Sequence, residues 1–138
     1  MNSPKIRSMC VSNVFSRMMY FLKAGDVEQG HKHTYDHATL LSSGRLKIEL
    51  LDNQGNVQAE KIFIAPDFIF IGKDDIHRLT ALEDNTIAVC IHAMRDLDEN
   101  IIPPESLVTM VRGDDMQKFL DATNFPYQYP AIINENRT

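Results

Sequence analysis

Cysteine is scarce in this chain. Cys10 and Cys90 are the only two among 138 residues, too few to staple a fold with a disulfide framework. Excess positive charge is missing too: 14 Lys and Arg stand against 19 Asp and Glu, for a formal charge of −5. No basic face therefore invites nucleic acid or an anionic membrane surface. No apolar run approaches the roughly 20 residues of a membrane-spanning helix. The opening MNSPKIRSMC lacks the apolar h-region of a secretory signal, so a cytoplasmic location is expected. Also absent are a nucleophile elbow, a phosphate-cradling glycine loop and a Cys-x-x-Cys pair, which leaves hydrolase, nucleotide-binding and zinc-ribbon readings unsupported. What is present is a 43% hydrophobic composition, enough to build a core and to exclude wholesale disorder. The length fits one domain of roughly 100–150 residues, taken here as 1–138.

The hydropathy pattern is that of an all-β protein. Arg17–Lys23 (RMMYFLK) is an apolar run closed by Ala24-Gly25, a strand and a turn. From Arg45 the chain alternates, with Leu46, Ile48 and Leu50 on one face and Lys47 and Glu49 on the other. Asp52-Asn53-Gln54-Gly55 supplies turn chemistry, and Val57–Ile64 returns as the second arm of a hairpin. Phe68–Ile71, His77–Leu82 and Thr86–Met94 read as further strands between polar breaks. Short strands at this spacing, without helical patterns between them, predict a sandwich or barrel. Beyond Pro103-Pro104 the pattern changes: Asp114 caps an expected short helix over Asp115–Ala122, and NFPYQYP (Asn124–Pro130) reads as an extended tail.

The histidines carry the functional argument, since three of the five fall within seven residues. His31 and His33 are two apart, so on a strand both rings leave the same face. His37 follows across Thr34-Tyr35-Asp36. Imidazole is a common ligand for zinc, copper, iron and nickel, so these rings can build one face of a metal site. On spacing alone, a cluster of solvated loop histidines accounts for the pattern equally well.

The flanking glycines add a resemblance. Gly25, five residues, His31-x-His33, three residues, His37, six residues and Gly44 closely resemble the first motif of the cupin family, with His37 standing where that family most often has glutamate. The stretch IFIAPDFIFIGKDDIHRLTAL resembles the second motif in position, with His77 as its histidine; Pro66, Gly72, Asp74 and Ala81 depart from the usual motif residues. The resemblance covers about Arg17–Met94 and leaves 101–138 outside it. It implies a double-stranded β-helix, or jelly-roll barrel, with one divalent metal held inside by His31, His33, His37 and His77. The alternative is a cupin barrel without metal, its histidines serving as hydrogen-bonding pocket walls.

Four neutral imidazoles would leave the ion its full +2 charge, where a glutamate would halve it. Such a centre is the stronger Lewis acid and attracts enolates, phenolates or carboxylates. Fe(II) or Mn(II) suits oxygen chemistry at such a site, while Zn, Ni and Cu share the same ligand type. The resemblance thus implies a metal-dependent oxidoreductase, dioxygenase-like, acting on an anionic or enolisable small molecule. The alternatives are a non-catalytic binding or sensing cupin, or a metal-dependent isomerase or lyase. No acid or base stands out beside the ligands, which favours redox chemistry over isomerisation. His92, on the face with Ala88, Cys90 and Met94, is a weaker candidate as proton shuttle, against a plain hydrogen-bonded histidine. Tyr35 shares the parity of His33 and is a candidate at the cavity mouth or a solvent-facing side chain. Tyr20, Phe68 and Phe70 are read as pocket wall or simple core, and Arg78 points away from His77. A homodimer is the expected assembly, as is common for small cupins.

Overall fold

The computed structural model describes residues 1–103; the expected helix over Asp115–Ala122 and the tail lie outside them. Nine strands are formed among the described residues: β1 Lys5–Val11, β2 Val14–Phe21, β3 Val27–His31, β4 His37–Ser43, β5 Arg45–Leu51, β6 Val57–Ile64, β7 Asp67–Ile71, β8 Ile76–Ala81 and β9 Thr86–Ala93. They make a five-stranded sheet in the order β1-β2-β9-β4-β7 and a four-stranded sheet in the order β3-β8-β5-β6. From β2 to β9 the chain passes back and forth between the two sheets, the β5–β6 hairpin excepted. That alternation is the winding of a double-stranded β-helix, so the all-β expectation holds. Sequence reading missed β1, whose KIRSMCV mixes charge and apolar residues without a clean alternation.

Two compact units are distinguishable, Met1–Ile6 with Met18–Cys90, and Arg7–Arg17 with the chain from Ile91 onward. The first holds β3 to β8 whole. Its core includes Phe21, Leu41, Leu46, Ile48, Ile69 and Leu79, all buried. Register explains which residues reach that core. β5 pairs with β8 through Leu46–Ala81, Ile48–Leu79 and Leu50–His77, and with β6 through Leu46–Phe63, Ile48–Lys61 and Leu50–Ala59. Directly opposed residues share a face, so these three rungs all point inward. On the outer face Arg78 reaches Glu49 with Nε and Nη2, both at 3.0 Å. The second unit is tied by Asn13, whose carbonyl accepts from Met94 N at 2.8 Å and whose Nδ2 donates to Ile102 O at 2.9 Å. Phe15 and Met94 are fully buried there.

Gly44 joins β4 to β5 with a φ of +84°, and a Cβ built on it would lie 2.2 Å from Thr86 Oγ1 and 2.9 Å from Thr86 Cα. Both backbone sign and space demand glycine at this motif position. Phe68 and Phe70 are not the simple core that is one of their two readings, although Phe70 does line a cavity, as the other reading expects. They stand 69% and 73% exposed, because Ile69 and Ile71 take the inward rungs of β7 opposite Thr39 and His37. Among the described residues no helix is long and apolar enough to cross a membrane.

Candidate metal centre

Four histidine rings meet in the first unit. His31 ends β3 and is the cross-strand partner of His77 on β8, which sets their ring centroids 4.5 Å apart. His33 lies beyond the end of β3, in the loop to β4. The strand-parity argument for His31 and His33 is therefore superseded: the loop, and not a shared strand face, brings their rings to 4.8 Å. His37 opens β4, its ring 4.9 Å from that of His33 and 5.9 Å from that of His77. The imidazole nitrogens of His31, His33 and His77 all lie within 4.8 Å of one another. His37 is not in that closest group, although its ring adjoins it.

The loop carrying His33 is held from the β7–β8 turn. Asp74 N donates to His33 O at 2.8 Å, and Lys73 N donates to Asp36 Oδ1 at 2.6 Å. The turn that delivers His77 thus also holds the segment that delivers His33. Next to His31, Gly30 lies so close to β5 that a Cβ would come within 2.8 Å of Leu51 Cδ1, and the β3–β8 register shifts between Glu28 and His31. This irregularity re-aims the end of β3.

The rings are oriented by backbone carbonyls. His31 Nδ1 meets Gln29 O at 2.9 Å, His77 Nδ1 meets Asp75 O at 2.9 Å, and His37 Nδ1 meets Ala38 O at 3.3 Å. A carbonyl only accepts, so each Nδ1 carries the proton and each Nε2 holds the lone pair. That is the tautomer a metal-ligating histidine adopts when its second nitrogen is tied to a backbone carbonyl. Burial pushes the His77 imidazolium down to about 4, the Asp75 carbonyl opposes the shift, and the neighbouring His31 and His37 add to it. His77 is therefore neutral at pH 7 and available as a donor without losing a proton. The donor set present fits a divalent ion: neutral imidazoles, nitrogen lone pairs, and backbone-fixed orientation.

Tyr35 stacks on His33 with centroids 5.1 Å apart and planes 24° from parallel, which places it beside the cluster as one of its two readings expected. His92 belongs to the second unit, where its ring lies 5.2 Å from that of Phe15 and its Nδ1 meets Ala93 O at 2.9 Å. Burial lowers its basicity. Arg78, as its parity required, is engaged with Glu49 on the outer face. Tyr20 donates to Asn85 Oδ1, so it walls no pocket around the histidines. Cys90 is half-buried against the core and 3.4 Å from Thr39 Oγ1.

A cavity of about 220 Å³ is lined by residues that include Ile48, Leu50, Ile69 and Ile71, with Glu60, Lys61 and Asp75 as charged wall residues and none of the histidines in its wall. Leu50 and Ile71 are the cross-strand partners of His77 and His37, so the cavity begins one strand away from those two histidines. Sequence reading missed Asp75. Its carboxylate lies over Gly72, where a Cβ would sit 2.5 Å from Oδ2. The Gly72-to-Asp75 turn is the only signal that could have pointed to it.

Structural comparison decides the fold. An RmlC-like cupin family protein with a double-stranded β-helix fold from Methanocaldococcus jannaschii superposes with a TM-score of 0.55 at 9% identity, over 78% of this chain and 87% of that one. A cupin-2 domain containing protein from Shewanella frigidimarina gives 0.52 at 15% identity, over 67% and 83%. This chain has the cupin fold. A mutant of the oxalate decarboxylase of Bacillus subtilis also superposes, with a TM-score of 0.56 at 18% identity over 68% of this chain and 26% of that longer one. No family model matches the sequence, and no curated protein matches it. The likeness is therefore one of fold, and the histidine cluster has to carry the chemistry by its own geometry.

Proposed function

We propose that this cupin is a metal-dependent oxidoreductase of the dioxygenase kind, acting on an anionic or enolisable small molecule at a divalent ion held by His31, His33, His37 and His77. The observation that carries the reading is the convergence of the His31, His33 and His77 nitrogens, with the His31 and His77 rings tethered through Nδ1. When bound, the ion would supply Lewis acidity and, as Fe(II) or Mn(II), the redox capacity for O₂. Nearby, Ile48, Leu50, Ile69 and Ile71 give the adjoining cavity an apolar wall. That a structural neighbour bears the name oxalate decarboxylase accords with a small anionic substrate. The free thiols Cys10 and Cys90 accord with a reducing, cytoplasmic setting.

A second reading is a metal-assisted isomerase or lyase, favoured by the Asp75 carboxylate on the cavity wall. The test begins with metal analysis of protein purified without a His-tag. A stoichiometric divalent ion is expected, lost in His33→Ala and in His77→Ala. Oxygen consumption with a panel of diketones and phenols, after iron or manganese loading, separates the two enzyme readings. Turnover without O₂ uptake moves the assignment to isomerase or lyase. No turnover of any kind moves it to a binding module.

The assembly we propose is a homodimer. Phe68 and Phe70 leave 69% and 73% of their surface exposed and pair with Leu40 and Ala38, forming one apolar strip on the outer face of the sheet. With about 200 Å² per phenylalanine, the two rings alone expose roughly 280 Å², close to the largest patch an ordinary monomer shows. A second copy is the commonest cover for such a strip.

A further inference from the structure

The cavity beside the histidines has one feature that neither the fold nor a metal site requires. β6 should present apolar side chains inward; Phe63 does so, half-buried, opposite Leu46, and Ala59 stands exposed opposite Leu50. Between them stands Lys61, on the rung of Ile48 and Leu79. Its Nζ lies 4.9 Å from the Phe63 ring centroid, a cation–π contact that places the ammonium over an apolar wall. Phe63, Ile48, Ile69 and Ile71 line the same cavity. A lysine turned inward on a terminal strand also discourages edge-to-edge pairing. Here, however, it is in addition a solvent-exposed cation in the wall of a cavity that begins one strand from His77 and His37.

The charges are ordered along that chamber. Asp75 is at the histidine end, since its carbonyl accepts from His77 Nδ1. Lys61 is two strands away, on β6, and one inward rung beyond the level of His77. Two strand spacings are roughly 10 Å, shortened by the reach of the two side chains. An anionic group is drawn to Lys61 and repelled by Asp75; Glu60 also borders the cavity, but it pairs with Glu49 and so has the opposite strand parity to Lys61. A neutral hydroxyl or carbonyl oxygen meets no such penalty beside Asp75 and the imidazoles. At about 30 Å³ per water, the 220 Å³ cavity holds roughly seven waters, so the ligand is compact.

We propose that this chamber takes a small carboxylate with an apolar body, its carboxylate seated on Lys61 and a neutral hydroxyl or carbonyl oxygen at its far end turned toward the histidines. Lys61 is the specificity-determining residue. Only the second half of the proposal, the oxygen turned toward the histidines, rests on the metal-site reading. The carboxylate seat stands on the cavity and β6 alone.

The probes are 3-hydroxybenzoate and its neutral amide, 3-hydroxybenzamide, titrated calorimetrically into the full chain, both as purified and after chelation. The acid is expected to bind about tenfold or more tighter than the amide, as a charge-assisted contact implies. Lys61→Gln should abolish that preference while leaving amide affinity unchanged, which also shows that the variant is folded. Lys61→Arg should keep it. The preference should survive in His33→Ala and after chelation, because it does not depend on a metal. Equal affinity for acid and amide in the parent protein overturns the proposal, as does an acid preference that persists in Lys61→Gln or the binding of neither probe. Failure of the metal reading shows separately, as metal content that is insensitive to His33→Ala while the Lys61 dependence remains.

Discussion

Replacing Gly44 by Ala tests the close approach that ties the first histidine motif to β9. The new Cβ would meet Thr86 Oγ1 at 2.2 Å and Thr86 Cα at 2.9 Å, with φ at +84°. Thr86 cannot swing aside cheaply: it is fully buried, and its Oγ1 donates to Glu83 O at 2.9 Å. Left-handed backbone costs an alanine about 1–2 kcal/mol, and forcing extra volume into a packed site adds about 1–3 kcal/mol. The expected loss is therefore about 2–5 kcal/mol. For a chain of this size a kilocalorie lowers Tm by roughly 3–5 °C, so thermal unfolding followed by circular dichroism should shift down by roughly 10 °C or more. Gly25→Ala is the control. Gly25 has a φ of +93° but nothing within 4 Å of its built Cβ, so it carries the backbone strain alone, about 1–2 kcal/mol. The difference between the two variants measures the contact with Thr86. Equal Tm shifts would refute the close approach and with it the steric reason for glycine at position 44.

Three further outcomes follow from particular contacts. The Arg78 guanidinium beside Glu49 holds that carboxyl below its usual range. Since the folded state binds this proton less tightly than the unfolded chain, the pair stabilises above a pH of about 4.3, the unfolded glutamate value, and that stabilisation fades as pH falls through the lower folded value. Urea titrations at pH 7 and pH 3 should therefore differ less for Glu49→Gln than for the parent, and an unchanged difference would count against the pair. Burial pushes the Cys10 thiol up to about 11, so at pH 8 a thiol-specific reagent should modify native Cys10 far more slowly than the unfolded chain; rapid native labelling of Cys10 would contradict its buried placement. Phe68→Ser combined with Phe70→Ser should leave the Tm nearly unchanged, because both rings are exposed, yet convert a dimer to a monomer in sedimentation velocity. A parent protein that already sediments as a monomer would end the dimer proposal.

The parts of the fold that were legible in sequence are those where one physical rule acts alone. β5 and β6 alternate or pair around a turn rich in Asp, Asn and Gly, and they fall at Arg45–Leu51 and Val57–Ile64. The motif glycines are legible because φ and space leave no other residue at Gly44. Elsewhere two rules compete. β7 is apolar at Phe68, Ile69, Phe70 and Ile71 on both faces, so composition could not say which pair is core, and register with β4 settled it for Ile69 and Ile71. Lys61 interrupts an inward face with a charge, and only the β5–β6 register shows which way it points. Asp75 is one of two acidic residues in the Gly72–Asp75 turn, and no local pattern singles it out.

In the histidine cluster the rings meet for a reason other than the spacing of the sequence. Spacing two apart on a strand would have aimed His31 and His33 by pleat geometry alone. Instead β3 ends at His31, and His33 is placed by the backbone bonds that Asp74 and Lys73 make to its loop. His31 and His77 are therefore fixed by a sheet register, whereas His33 is fixed by a turn across from it. The two kinds of support differ in stiffness: paired strands open only with the core, while a loop held by a few backbone bonds opens at lower cost. The Asp36 carboxylate is the one member of that support a substitution can remove cleanly, since Lys73 N donates to its Oδ1. Asp36→Ala should accordingly weaken metal retention by a factor of about 10–100, the range found for residues that orient a ligand, and leave Tm nearly unchanged. His77→Ala, by contrast, removes a fully buried side chain from a sheet rung and should lower both. An Asp36→Ala protein that keeps parental metal affinity would place the control of His33 elsewhere than in the β7–β8 turn.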